Sequence, residues 1–294
     1  AMQTMRESLV EAPDLLDEAA WRRLAHRMGS YPRDGEPIIR LTGERMFMDD
    51  FLQRFYTDDG EGGGVPTHEG MKLWRAMSSE TPMAIEEALG DRLTGPVSVA
   101  TFANRRELKA EFERLFALAL AEHDRPLWMQ GPSQLNAEVE AMAESPITRM
   151  RYAIIYLLMP AVDRALRNAE LLEMDRTGTA AAIACELHRR RTGEWPTSWS
   201  QVVPDLLPST PIDRFTGDPM GLRVVDGQLR IYGVGADDDD DGGAWARDGQ
   251  DRIVNNRARE WRPRGAPAEG RDVTVNGDWV LFPTEPIPEE TPEP

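Results

Sequence analysis

Apolar residues recur every three to four positions through the first two thirds of the chain. Leu15, Leu16, Ala19, Ala20 and Leu24 take this spacing and predict a helix that Gly29 and Pro32 terminate. A second helix is expected over 38–56, with Leu41, Met48, Phe51, Leu52 and Phe55 on its apolar side. Thr67 fits the N-cap of a helix around 71–77, and Thr81-Pro82 opens another short one. The clearest stripe lies in 102–123, where Leu108, Phe112, Leu115, Phe116, Ala119 and Leu120 face one way and Arg and Glu the other. A further helix fits 133–144. From Pro146 a long helical run reaches about Arg191, with kinks expected at Pro160 and near Gly178.

The pattern changes after Gly193. Pro196, Pro204, Pro208, Pro211 and Pro219 exclude a long helix there. Two short strands follow, over 222–225 and 228–234, and the Asp226-Gly227 pair between them is a hairpin signal. A last strand is expected over 273–282, broken at Asn276-Gly277. The order predicts an α+β fold. A helical region (1–145) precedes a long helix packed on a small antiparallel sheet (146–283), and a Pro/Glu-rich tail (284–294) is expected to be disordered.

Charge narrows the partners. The 51 acidic residues exceed the 34 basic ones, for a net charge of −17. Such a surface repels phosphate backbones, so nucleic acid is not an expected partner, whereas divalent cations and basic proteins are. The single cysteine, Cys185, permits neither an internal disulfide nor a cysteine zinc site, and among alanines it reads as a small buried residue. His26, His68, His123 and His188 form no His-x-x-x-His pair. The best apolar run, 152–162, is too short for the roughly 20 residues of a spanning helix, so no direct membrane insertion by this chain is expected. The opening Ala1-Met2 reads as the remnant of a cleaved tag, and a signal or anchor is expected upstream of it. No phosphate-binding Gly-Lys-Ser/Thr loop and no Gly-x-Ser-x-Gly elbow occurs. Glu44-Arg45 with Asp49-Asp50 is the one carboxylate cluster worth inspecting for acid–base chemistry, against a default of helix-surface charge. Trp195 and Trp199 are expected to pack on the long helix.

The acidic, glycine-closed loop 237–243 is the main candidate site. Calcium takes six to eight oxygen ligands on a tightly turning backbone. Asp237-x-Asp239-x-Asp241-Gly242 supplies the first half of an EF-hand-like loop, with the Gly243 carbonyl and Asp248 at the seventh and twelfth positions. The plain alternative is a solvated acidic turn. A second loop, 58–64, holds only three carboxylates and is expected to be a helix connector.

The order of short motifs over about 160–283 resembles the globular part of the major (G-type) pseudopilin of type II secretion. The carriers are Thr192-Gly193-Glu194-Trp195-Pro196-Thr197, Leu206-Leu207-Pro208, and Pro211-Ile212-Asp213-Arg214-Phe215-Thr216-Gly217-Asp218-Pro219. They continue with Tyr232-Gly233-Val234-Gly235-Ala236-Asp237 and Asp241-Gly242-Gly243. The same ending is similar to that of large planctomycete-type proteins in which a helical region precedes it. Trp195 stands for the family's Tyr, Arg214 for its Pro and Gly233 for a common Ser. The resemblance implies a calcium site in which Asp237 pairs with an aspartate beside the final strand, first Asp278 and second Asp272. It also implies an extracytoplasmic place, in the periplasm or cell envelope. The expectation is a non-enzymatic structural or interaction protein, with protein partners in an envelope or secretion-type assembly. The alternative is an envelope hydrolase with a carboxylate site in the helical region.

Overall fold

The computed structural model describes residues 2–12, 15–30, 40–77, 101–235, 239–247, 253 and 276–284. In chain order its helices are α1 (Met2–Glu11), α2 (Glu18–Gly29), α3 (Thr42–Phe55), α4 (His68–Met77), α5 (Arg105–His123), α6 (Gln134–Glu144), α7 (Pro146–Arg151) and α8 (Ala153–Thr192). Strands β1 (Gly221–Val225), β2 (Gln228–Gly233) and β3 (Trp279–Phe282) form one antiparallel sheet in that order. The fold is therefore α+β, with one long helix and a small three-stranded sheet. The helix expected from Thr81 and the tail beyond 284 lie outside the described residues.

Contacts divide the chain into two compact units, Ile39–Arg125 with Ser133–Arg167, and Ala1–Ile38 with Pro126–Pro132 and Asn168–Pro294. The boundary between the units falls within α8, between Arg167 and Asn168.

In the all-helical unit, α3 buries Met48, Phe51, Leu52 and Phe55 at the expected spacing, with the Phe51 and Phe55 rings stacked at 5.1 Å. In α5, Leu108, Phe112, Leu115, Phe116 and Ala119 are buried, and Asn104 with Glu107 forms a reciprocal capping box. Leu120, at the edge of the stripe, stays exposed. Thr67 Oγ1 accepts from the Gly70 amide, the N-cap expected of it. The run expected from 146 is interrupted at Tyr152, between α7 and α8, while Pro160 is accommodated inside α8. A nearly buried His123 lies 3.3 Å from Asp163, which also accepts from Arg167 at 2.9 Å.

The second unit is built on α8 beyond Asn168. Ala180, Ala181, Ala182, Ile183, Ala184 and Cys185 are fully buried, packed in one cluster with Leu229 and Ile231 of β2 and with Trp279, Leu281 and Phe282 of β3. Helix α8 runs on through Gly178. A Cβ there would lie 2.7 Å from the Leu281 side chain, so its bareness lets β3 approach α8. Helix α1, which the pattern did not single out, carries Arg6 into this core, 3.1 Å from both Asp175 and the Thr179 hydroxyl. Asp226 and Gly227 both take positive φ (52° and 77°), as a two-residue hairpin turn requires. β3 begins only at Trp279, and of the residues expected before it, 273–275 lie outside the described ones.

Trp195, Arg214 and Gly233 each have a packing reason. Trp195 takes the Arg189 guanidinium over its ring at 4.7 Å and meets Phe282 edge-on. Arg214 donates to buried Glu170 of α8 at 2.7 Å and lies over Trp128. A Cβ at Gly233 would stand 2.1 Å from Met174 Cε, so a serine does not fit without a shift.

Two outcomes follow from this packing. Gly178→Val is expected to lower unfolding free energy by about 1–3 kcal/mol through overpacking against Leu281. Gly43→Ala, with nothing within 4 Å, is expected to raise it by up to about 1 kcal/mol. Urea denaturation reads both. Burial alone would raise the Asp163 carboxyl, but bonds from His123 and the Arg167 charge outweigh it and hold it below the ordinary carboxylate value. That contribution is complete above the unfolded value of about 3.9 and is lost as pH falls through the depressed folded value. Melting followed from pH 5 to pH 2 is therefore expected to fall less steeply in Asp163→Asn than in the wild type.

Candidate functional site

Strand β2 delivers the chain to the acidic loop, and a buried aspartate fixes where it leaves. Asp213, 2% exposed, accepts from the Phe215 amide at 2.8 Å and from the Val234 amide at 2.9 Å. It thereby ties the proline-rich turn to the end of β2. Sequence reading placed Asp213 in a motif without seeing this role. An aspartate two residues before an amide it can cap was the available signal.

Beyond the strand, Asp240 Oδ1 accepts from the Gly242 amide at 2.8 Å, and the Asp240 charge lies close to Tyr232. Gly242 and Gly243 both have positive φ (70° and 83°), and a Cβ at Gly242 would meet the Arg223 guanidinium at 2.3 Å. The double glycine is thus demanded by backbone and neighbour together. The turn then closes on the far end of the chain. Asp278 Oδ2 accepts from the Gly243 amide at 2.6 Å and its Oδ1 from the Asp241 amide at 3.4 Å. The Asp278 amide in turn donates to Ala244 O at 2.8 Å. Gly277 makes this approach feasible, since a Cβ there would sit 2.6 Å from Ala246 Cα.

Asp278 is 1% exposed. Burial pushes its carboxyl up to about 7. The Gly243 and Asp241 amides pull it down, and the charges of Asp240 and Asp241 add to the rise. Tyr232 is pushed up to about 12, first by burial and then by Asp240. Among the described residues, Asp241 Oδ2 is buried without a hydrogen-bond partner. A sealed carboxylate oxygen with nothing to accept from is costly, and a cation is the partner that would relieve it.

Of the expected ligands, Asp241, Gly243 and Asp278 come together here. Asp239 is exposed, and Asp237, Asp248 and Asp272 lie outside the described residues. The Gly243 carbonyl accepts from Arg230 Nη1 at 2.6 Å, so a guanidinium occupies the direction an EF-hand-like set would give to the ion. Among the described residues no group of three or more acidic, histidine or cysteine side chains is arranged to hold a metal. Asp241 and Asp278 supply two carboxylates, and the remaining oxygens of a calcium shell would have to come from residues 236–238 or solvent.

The other candidates resolve into local structure. In the 58–64 loop, Asp59 Oδ1 accepts from the Glu61 and Gly63 amides at 2.9 and 2.8 Å, closing its own turn. Asp49 pairs with Lys109, Asp50 with Arg54 and Arg45 with Glu113, all on the exposed face. Cys185 is buried, and burial pushes its thiol well above the ordinary range, so it is a packing residue. Among the described residues no helix is long and apolar enough to cross a membrane.

No protein-family model, no curated protein and no solved structure matches the chain.

Removing the Asp278 side chain strands the buried Gly243 amide. Asp278→Ala is expected to lower unfolding free energy by about 1–3 kcal/mol, and Asp278→Asn, which keeps one acceptor, by less. Equal urea midpoints for Asp278→Ala and wild type would contradict this anchoring role.

Proposed function

We propose that the chain is a non-enzymatic structural or interaction protein whose sheet-bearing unit is completed by one calcium ion at the acidic loop. Asp278 and Asp241 are its carboxylate ligands, and Asp237 is the third by position. The reading rests chiefly on one observation: a buried Asp278 carboxylate grips the loop while Asp241 Oδ2 is buried beside it with no hydrogen-bond partner among the described residues. The order of elements, a long helix followed by three antiparallel strands, supports the pseudopilin-like resemblance drawn from the motifs. Weak loop sites suit millimolar extracellular calcium, which supports an extracytoplasmic place. On this reading the unit takes part in an envelope or secretion-type assembly.

The ion's work is structural. It neutralises clustered carboxylates and joins the loop after β2 to the strand β3, two parts of the chain that the Gly243–Asp278 bond already brings together. Protein stripped by a chelator and titrated with calcium is expected to melt roughly 5–10 °C higher once free calcium exceeds its Kd a hundredfold. Asp241→Asn and Asp278→Asn are expected to abolish that shift. A wild type whose melting and calorimetric titration ignore calcium would sink the proposal.

A further inference from the structure

A hollow of about 430 Å³ lies beside α2, lined by Ala19, Arg22, Arg23, His26, Arg27, Asp205 and Leu206. Positions 22, 23, 26 and 27 fall on one side of a 3.6-residue helix, while Trp21 and Ala25 are buried on the other. The Arg22 guanidinium is oriented by the hollow's own wall, donating to the Asp205 carbonyl at 3.1 Å. Among the described residues, Arg22, Arg23 and Arg27 make no ion pair. The chain has 17 more acidic than basic residues, and several arginines elsewhere are held by carboxylates, among them Arg6 by Asp175, Arg114 by Glu111 and Glu138, Arg191 by Glu18 and Arg214 by Glu170. Three guanidiniums with no carboxylate within ion-pair distance among the described residues stand out against that surplus, although Asp205 forms part of the same wall. The C-terminal end of α2, where His26 and Arg27 sit, carries the negative pole of the helix dipole and stabilises cations while no anion is present.

We infer that this hollow is a binding site for a phosphate group, taken either free or as the ester of a small polar molecule. Guanidinium forks match the oxygens of a tetrahedral dianion two at a time, and three of them neutralise it where a carboxylate would leave charge over. Ala19 and Leu206 offer an apolar wall to the carbon skeleton of an ester. The net negative field of the whole chain repels anions at long range, so binding would depend on these contacts and weaken as salt rises. The site is separate from the acidic loop and does not depend on calcium.

The test is calorimetric titration of the full chain with inorganic phosphate and, separately, with glycerol phosphate at constant ionic strength. Arg23→Gln/Arg27→Gln is the comparison, and its melting temperature without ligand reports that it folds. Saturable binding in the wild type, weakened at least about tenfold in the double variant, is the expected result. Tighter binding of the ester identifies an esterified ligand; equal binding identifies the free anion. Absence of saturable binding overturns the inference, as does equal binding by wild type and variant. Should the double variant fail to fold, Arg23→Lys replaces it: loss of the guanidinium fork with charge kept is expected to weaken phosphate binding, and no change overturns the site.

Discussion

The closeness of α8 to the sheet governs the sheet-bearing unit. Along Ala180–Ala182 and Ala184 the helix shows only methyl groups, and at Gly178 not even that, so Leu281 rests almost on the helix backbone. Met174 presses in the same way on Gly233. At such separations every added carbon must displace something in a close-packed interior. The small residues are therefore what lets one short strand and a hairpin find a core at all. A three-stranded sheet of this size would be marginal without a helix against one face.

Once the sheet is set on the helix, its polar groups have to be satisfied in fixed places. Asp213 does this at the end of β2 and Asp278 at the start of β3, each through main-chain amides. The two differ in their neighbours. The Asp213 carboxylate accepts from the Phe215 and Val234 amides, whereas Asp278 accepts from the Gly243 and Asp241 amides while buried against the charges of Asp240 and Asp241. That imbalance separates a purely structural aspartate from a candidate ligand. The proposed ion would answer the charge that the fold has concentrated. Arg223 and Arg230, reaching from the hairpin to Gly242 and Gly243, answer part of it already.

What could be read in advance follows the range of the interactions. The stripes of α3 and α5, the Thr67 cap and the Asp226-Gly227 turn depend on residues within four of each other, and all four lie where the pattern put them. Helix α1 escaped notice because its inward face includes an arginine: Arg6 is buried because Asp175 and Thr179 receive it, and those partners lie 169 and 173 residues away. Gly178 shows a related ambiguity. A glycine in a helix signals either weakness or close approach, and only the neighbour decides which.

By itself, the sequence determined the α+β class, the helix stripes, the hairpin and the presence of an acidic, glycine-closed turn, because each is set by local periodicity or backbone preference. Tertiary structure decided which acids meet. It joined Gly243 to Asp278 across 35 residues, gave the Gly243 carbonyl to Arg230, left Asp239 in solvent and gathered Arg22, Arg23 and Arg27 around one hollow. Such meetings depend on how helix and sheet pack, and no spacing along the chain records that.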